Sequence, residues 1–162
     1  MKLKAIKRLL LIIGSLLLAV SRPGSVDAQD IDWPKHGLNS QESRYSPIGQ
    51  INADNVSELG LAWAKKLSTV RGIEATPLVI DGILYYSLPW SVVQATDGIS
   101  GATIWSWDPR VDKAVWGRKA CCDVVNRGVA HANEHIYAST LDGRLVCLKA
   151  SDGTQVWSTD TL

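Results

Sequence analysis

The chain has 162 residues, of which 46% are hydrophobic and 20% are charged, a composition typical of a globular domain rather than a disordered segment. Its formal charge is +1, but residues 1–28 hold five basic residues and one acidic residue, which leaves 12 basic and 15 acidic residues and a charge of −3 in the remainder. That balance provides no basic face for a phosphate backbone, so nucleic acid is excluded as a partner.

Residues 1–28 have the three parts of a secretory signal peptide. A basic start is followed by 12 mainly apolar residues, 9–20, and by a polar stretch with Val26 and Ala28 at the positions that suit cleavage before Gln29. A retained membrane anchor is the alternative, but 12 apolar residues are fewer than the ~20 that span a bilayer. We therefore expect export to the periplasm, an oxidising compartment where disulfides persist.

Residues 29–60 are rich in Asn, Ser, Gly and Pro and contain few long apolar runs. This composition predicts an irregular lead-in that wraps the domain. A short helix is predicted over 53–59, with Asn52 as its N-cap and acidic residues in its first turn.

From residue 61 onward the chain reads as short β-strands joined by tight turns. The apolar runs cover 61–64, 76–80, 83–86, 104–107, 135–138 and 144–148. Asp-Gly pairs, which favour hairpin turns because glycine adopts a positive φ without penalty, occur at 81–82, 97–98, 142–143 and 152–153. The pattern predicts an all-β fold built of hairpins.

These hairpins repeat. Residues 95–105 align with 147–157, each with a glycine four positions before a tryptophan, at an offset of 52 residues. Four short strands in a period near 50 are typical of a β-propeller blade, whose tryptophan would pack against the neighbouring blade. A β-sandwich with two similar hairpins is the alternative. In the second repeat Cys147 replaces alanine and Lys149 replaces aspartate, which we expect to weaken its docking turn.

Residues 61–162 supply about two blades, whereas propellers need at least four. We therefore expect the chain to be a truncated piece of a longer protein.

Cys121 and Cys122 are adjacent in the sequence. A bond between them would close a strained eight-membered ring, because consecutive Cα atoms lie only ~3.8 Å apart whereas ordinary disulfides span ~4.4–6.8 Å. Two free thiols, or a bond from either cysteine to Cys147, are the alternatives that adjacency leaves open. Binding of a soft metal is a further reading, disfavoured in an oxidising compartment.

Several segments together resemble one known family, the PQQ (pyrroloquinoline quinone)-dependent alcohol and methanol dehydrogenases. The residues that carry the resemblance run from 32 to 157, and they lie in segments 32–34, 44–47, 50–56, 72–82 and 121–128 and in the two glycine–tryptophan repeats. Adjacent cysteines followed by Asp123, Asn126 and Arg127 are its most specific motif.

The resemblance implies a partial eight-bladed propeller, the first two blades of a ring with PQQ on its axis. It implies a Cys121–Cys122 disulfide that lies flat against the cofactor, an Arg127 that pairs with PQQ, and a Glu74 that contacts it. It also implies Ca²⁺, oxidation of a small alcohol to an aldehyde by hydride transfer, and a c-type cytochrome or a quinone as electron acceptor. Some relatives carry a haem c domain at the C-terminus.

Without the resemblance, Glu74 reads as a solvated loop acid and Arg127 as a partner in a surface salt bridge. Asp108, Asp112 and Asp123 are interpreted as solvated loop acids too. The family's catalytic aspartate, calcium ligands and stacking tryptophan have no counterpart in this sequence, so the chain alone is expected neither to bind PQQ nor to turn over. The alternative function is a non-catalytic exported propeller scaffold, which has no reason to keep the cysteine pair with Arg127 and Glu74.

Overall fold

The computed structural model describes residues 32–162, so the predicted signal peptide lies outside the described residues. These residues form two four-stranded antiparallel sheets in which neighbours in sequence are neighbours in space. The first sheet contains β1 (Leu78–Ile80), β2 (Ile83–Ser87), β3 (Val93–Asp97) and β4 (Thr103–Trp107). The second contains β5 (Ala130–Ala132), β6 (His135–Ser139), β7 (Arg144–Lys149) and β8 (Gln155–Asp160). Two successive meanders of this kind are two propeller blades, and they confirm the predicted partial propeller.

The two sheets repeat each other in detail. Ala95 pairs with Trp105 in the first sheet, and Cys147 pairs with Trp157 in the second. The register shifts at the next residue in both sheets, at Thr96 and at Leu148. The 52-residue offset predicted from the sequence is therefore also the offset between structurally equivalent residues.

The core lies between the two sheets, where apolar side chains of both are removed from water. It contains Ile80, Tyr85, Val93, Ala95, Trp105, Ile136, Ala138, Val146 and Leu148. Trp105 joins the sheets: its indole Nε1 donates to the carbonyl of Ala150 at 2.7 Å, and its ring lies over Gly153. This contact confirms for the first repeat that the tryptophan packs against the neighbouring blade, whereas Trp157 of the second repeat is 39% exposed.

The turn that receives Trp105 keeps its backbone bonds despite Lys149. Gly153 N–H donates to the Lys149 carbonyl at 2.9 Å, as Gly101 N–H donates to the Asp97 carbonyl at 2.9 Å in the first sheet. The second turn lacks only the bonds that the Asp97 carboxylate accepts, from Ser100 among others.

Residues 61–64 were predicted to form the first strand, and that prediction is wrong, since no strand occurs anywhere in 61–67. Within the described part of the chain the backbone of this segment has no strand partner, although Trp63, Lys65 and Leu67 are partly covered and the residues between them are exposed. Trp63 lies over Gly101, and its indole Nε1 donates to the Gly98 carbonyl at 3.0 Å. Trp105 makes the equivalent contacts with Gly153 and the Ala150 carbonyl in the next blade. The apolar run therefore identified an extended segment but not whether a neighbouring strand pairs with it.

Two helix assignments also differ from the prediction. The helix expected over 53–59 is a single 3₁₀ turn, Val56–Glu58, with Asn55 at its N-cap position but without a side-chain capping bond. The side chains of Asn52 and Asn55 instead accept from the backbone N–H groups of Asp54 and Asn52. Between the sheets a short helix, α1 (Lys113–Lys119), was not predicted. Asp112 caps it by accepting from the N–H groups of Ala114 and Val115, so Asp112 is not a free loop acid.

The lead-in pairs with the β1 edge of the first sheet. Trp33 and Val79 exchange backbone hydrogen bonds of 2.8 and 3.0 Å, and Asp32 accepts from the N–H of Asp81. Residues 32–34 thereby hold β1 in place. Across residues 32–162 we find no helix with the length and hydrophobicity needed to cross a membrane.

Candidate functional site

The predicted site residues lie at one end of the two sheets. An antiparallel meander of four strands has two ends. One end holds the start of the first strand, the connection from the second strand to the third, and the chain that leaves the fourth strand. That end collects the segment before β1, the turn Pro89–Ser91 and the long connection from 108 to 129. Trp90 N–H donates to the Val124 carbonyl at 2.9 Å, and Ser91 Oγ accepts from Leu141 N–H in the second sheet, so these pieces are in contact.

Glu74 and Arg127 form an ion pair across this end, with 3.3 Å between Arg127 Nη2 and Glu74 Oε2. The backbone brings them together, because Thr76 bridges Gly128 in parallel and its N–H donates to the Arg127 carbonyl at 3.4 Å. Gly128 has φ of +130°, and a side chain there would meet the Thr76 carbonyl. The Glu74 and Arg127 side chains are 47% and 78% exposed, so most of the guanidinium remains available to a ligand.

The two adjacent cysteines are exposed, and their sulfurs lie 2.9 Å apart. An S–S bond is ~2.05 Å long, so the structure contains two thiols in contact rather than the predicted disulfide. Cys147 is a third free thiol, buried on β7, and no disulfide joins any of the three. Bond formation between Cys121 and Cys122 stays a prediction.

The electrostatics of Cys122 connect the four predicted residues. Its Cys121 neighbour, by hydrogen bond and by charge, raises the pKa of the Cys122 thiol, and slight desolvation and the negative charge of Glu74 add to that rise. The positive charge of Arg127 acts in the opposite direction. Glu74, Cys121, Cys122 and Arg127 therefore lie near one another and form one cluster, while their contact with PQQ stays a prediction.

Asp123 is an exposed loop acid, as interpreted from sequence, but it is also bound on two sides. Its carboxylate forms an ion pair with Arg71, and Oδ1 accepts from the N–H of Val124 at 2.8 Å. Its φ is +67°, a conformation that aspartate adopts more readily than most residues. No signal in the sequence pointed to Arg71, because it lies 52 residues from its partner.

Asn126 anchors the other side of the cysteine motif. Its Nδ2 donates to the Ser139 carbonyl on β6 at 2.8 Å, and its Oδ1 accepts from Gly128 N–H at 3.1 Å. The connection is thus tied both to the second sheet and to the turn that carries Arg127.

The cluster offers an exposed pair of sulfurs and an exposed guanidinium, a set suited to a flat ligand with carboxylate or carbonyl oxygens. Residues 32–162 contain no group of three or more His, Cys, Asp or Glu side chains that could hold a metal ion. Calcium binding therefore stays an expectation from the resemblance.

Comparison with known proteins gives a consistent family. Residues 33–158 match the family described as PQQ, the glucose/ethanol/alcohol dehydrogenase β-propeller domain. A quinohemoprotein alcohol dehydrogenase of Comamonas testosteroni is 51% identical over 134 residues, which are 83% of this chain and 19% of that protein. A 1-butanol dehydrogenase (cytochrome c) of Thauera butanivorans is 45% identical over 159 residues, which are 98% of this chain and 22% of that protein.

Solved structures give the same result for the fold. The crystal structure of the Comamonas testosteroni enzyme superimposes with a TM-score of 0.77 over 83% of this chain and 20% of that one. A europium-containing methanol dehydrogenase, 37% identical, superimposes with a TM-score of 0.73 over 81% of this chain and 23% of that one. The chain thus spans about a fifth of the length of the relatives it matches.

Proposed function

Because the chain belongs to the PQQ family of glucose/ethanol/alcohol dehydrogenase β-propellers, we propose that it forms one wall of a PQQ site in an enzyme that oxidises alcohols to aldehydes. The observation that carries this proposal is the cluster of Cys121 and Cys122 with Arg127 and Glu74 at one end of the two blades. All four are residues that the resemblance assigned to the cofactor site, and the fold brings them together from two distant segments.

The residues present suit this cofactor. PQQ is planar and carries carboxylates and quinone oxygens, and Arg127 presents a largely exposed guanidinium that can donate to such oxygens. The two adjacent sulfurs are exposed beside it and offer a polarizable surface against which a flat ring can lie. When bound, PQQ supplies the two-electron acceptor for alcohol oxidation.

The residues of this chain bind and orient rather than react. Arg127 holds acidic oxygens of the cofactor, while Glu74 keeps the guanidinium in place and balances its charge. We further propose that after export to the periplasm a disulfide-carrying oxidant accepts two electrons and two protons from the Cys121 and Cys122 thiols as the S–S bond forms. A closed ring holds the two sulfurs more rigidly than two thiols.

The remaining parts of the function are proposed from the relatives alone. Two blades leave a propeller ring open, so we propose that further blades provide the calcium ligands, the catalytic aspartate and the stacking tryptophan. A cytochrome partner is supported by the name of the Thauera butanivorans relative, and a haem domain by the name quinohemoprotein.

A chimera tests the proposal directly. The matched fifth of the Comamonas testosteroni enzyme is replaced by residues 29–162 of this chain, and PQQ content and PQQ-dependent alcohol oxidation are measured. We expect the chimera to bind PQQ and to oxidise alcohols, and the variant with Cys121→Ser and Cys122→Ser to lose at least about tenfold in activity. The matched control is Cys147→Ser, which removes a thiol outside the cluster.

Two results would contradict the proposal. One is a folded chimera that takes up no PQQ, and the other is full activity in the chimera without the cysteine pair. Titration of the isolated chain with PQQ and Ca²⁺ adds a separate check, since tight binding there would show that further blades are dispensable for the site.

A further inference from the structure

Two ion pairs join the segment before β1 to the connection between β4 and β5, and their charges are arranged in opposite directions. Arg71 pairs with Asp123, and three residues further along the first segment Glu74 pairs with Arg127. The cation thus lies on the first segment in one pair and on the second segment in the other. Sliding one segment along the other would break both ion pairs. It would also bring like charges together, Arg71 with Arg127 or Glu74 with Asp123.

Arg71 is itself held by an aromatic ring. Its guanidinium carbon lies 5.3 Å from the ring centroid of Trp90, and Lys113 Nζ lies 5.6 Å from the same centroid. Gly117 on α1 permits this packing, since a side chain there would approach the indole to 3.1 Å. Trp90 also donates its backbone N–H to the Val124 carbonyl, so it contacts both Arg71 and the residue after Asp123.

The residues bound in this way are those that directly follow the cysteine pair. Asp123 has φ of +67° and shares a backbone bridge with Cys121, so the chain turns tightly around Cys122. A tight turn at this place decides whether the two sulfurs lie side by side or point apart. Arg71 contacts neither cysteine among its described interactions and acts through Asp123.

We propose that Arg71 is a positioning residue, which through its ion pair with Asp123 and its packing on Trp90 holds the turn that keeps the sulfurs of Cys121 and Cys122 in contact. The inference deepens the proposed function, because the alignment of the sulfurs matters for catalysis only if they face the cofactor. Its test requires no cofactor, so the two can fail separately.

The test measures closure of the Cys121–Cys122 ring in the chain. Samples are equilibrated in glutathione buffers of graded potential. One oxidised glutathione accepts two electrons and the two cysteine protons, giving two reduced glutathione molecules as the Cys121–Cys122 bond forms. After acid quenching and alkylation, trypsin cuts at Lys119 and Arg127 and releases one peptide with both cysteines. Mass spectrometry distinguishes its oxidised form, 2 Da lighter than the dithiol and unalkylated.

We expect Arg71→Gln to lower the equilibrium constant for ring closure about threefold to fivefold, the range for loss of one exposed ion pair. Asp123→Asn keeps the tolerance for positive φ and should give the same loss. The double variant should lose no more than either single variant, because both remove the same contact. Arg118→Gln, which removes an exposed charge from α1 without breaking an ion pair in residues 32–162, should leave the constant unchanged.

Equal ring closure in Arg71→Gln and wild type would overturn the inference, and so would fully additive losses in the double variant. Far-UV circular dichroism and tryptophan fluorescence establish that each variant is folded.

If the wild-type ring fails to close at any potential, the proposed disulfide is wrong. The positioning role is then decided by binding of phenylarsine oxide to the reduced pair, which requires both sulfurs on one side and should weaken in Arg71→Gln by the same factor.

Discussion

The indole of Trp105 occupies the space that a side chain on Gly153 would need. A Cβ built on Gly153 would come within 2.6 Å of the indole ring, and the glycine has φ of +73°. Trp63 stands in the same relation to Gly101, where a Cβ would come within 2.7 Å of the ring. Each of these tryptophans therefore packs on the glycine of the repeat that follows it in the chain, and Trp105 in this way helps to join the first sheet to the second.

Gly153→Ala should lower the free energy of unfolding by about 2 to 4 kcal/mol, because it combines an unfavourable positive φ with overpacking against Trp105. Denaturant unfolding followed by tryptophan fluorescence measures the change. Gly60→Ala is the matched control, since a side chain at Gly60 meets nothing within 4 Å and should have little effect. Equal stabilities of the two variants would show that packing of the Trp105 indole does not require a glycine at position 153.

The cluster makes opposite predictions for the two charges beside Cys122. Glu74→Gln should lower the pKa of the Cys122 thiol, because a nearby negative charge disfavours the thiolate, and Arg127→Gln should raise it. The pH dependence of alkylation of Cys122, followed by mass spectrometry, measures both. Glu58→Gln, on the exposed 3₁₀ turn, is the control and should shift nothing. Shifts of the same sign in the two cluster variants would mean that the charges do not act on this sulfur.

The turn between β6 and β7 should make stability depend on acidic pH. Burial raises the pKa of the Asp142 carboxyl, but hydrogen bonds from Arg144 and Thr140 and the charge of Arg144 outweigh burial and lower it below 3.8. A lowered folded-state pKa stabilises the protein above the unfolded-state pKa of about 3.9, and that stability is lost as the pH falls through the folded-state value.

Asp142→Asn should therefore destabilise the chain by about 1.5 kcal/mol at neutral pH, the lower end of the range for hydrogen bonds to a charged group. The difference from wild type should stay constant from pH 7 to about pH 5 and shrink below about pH 4. Denaturation series at several pH values measure it, with the exposed Asp160→Asn as control. If the difference in the free energy of unfolding does not change with pH, ionisation of the Asp142 carboxylate does not contribute to stability.

The hairpin turn between β5 and β6 is strained at Glu134. The equivalent turn in the first blade uses Asp81 and Gly82, with φ of +49° and +73°, whereas the second blade places Asn133 and Glu134 at +48° and +62°. Glu134→Gly should raise stability by about 0.5 to 1 kcal/mol, since relief of the positive φ exceeds the entropy cost of glycine. Glu134→Ala removes the same side chain without relieving the backbone and should give no gain in thermal unfolding. If Glu134→Ala also raises the stability, the gain comes from removal of the Glu134 carboxylate and not from relief of the backbone.

Local patterns in the sequence were enough for the repeating part of the fold. The offset of 52 residues, the Asp-Gly turns and the glycine–tryptophan spacing predicted the blades, because hairpin geometry depends on residues a few positions apart. The same locality explains the errors. Residues 61–64 have the composition of a strand, but a strand exists only where another segment supplies its hydrogen bonds, and an apolar run cannot show whether such a segment is present.

The candidate site divides in the same way. The cysteine pair, Arg127 and Glu74 were identified from short motifs that the sequence by itself determined. Only the tertiary structure decided that Glu74 pairs with Arg127 and that Arg71, 52 residues from Asp123, closes a second pair beside it. Both pairs depend on Thr76 lying beside Gly128, a contact between distant segments that arises when the two sheets bury their shared core.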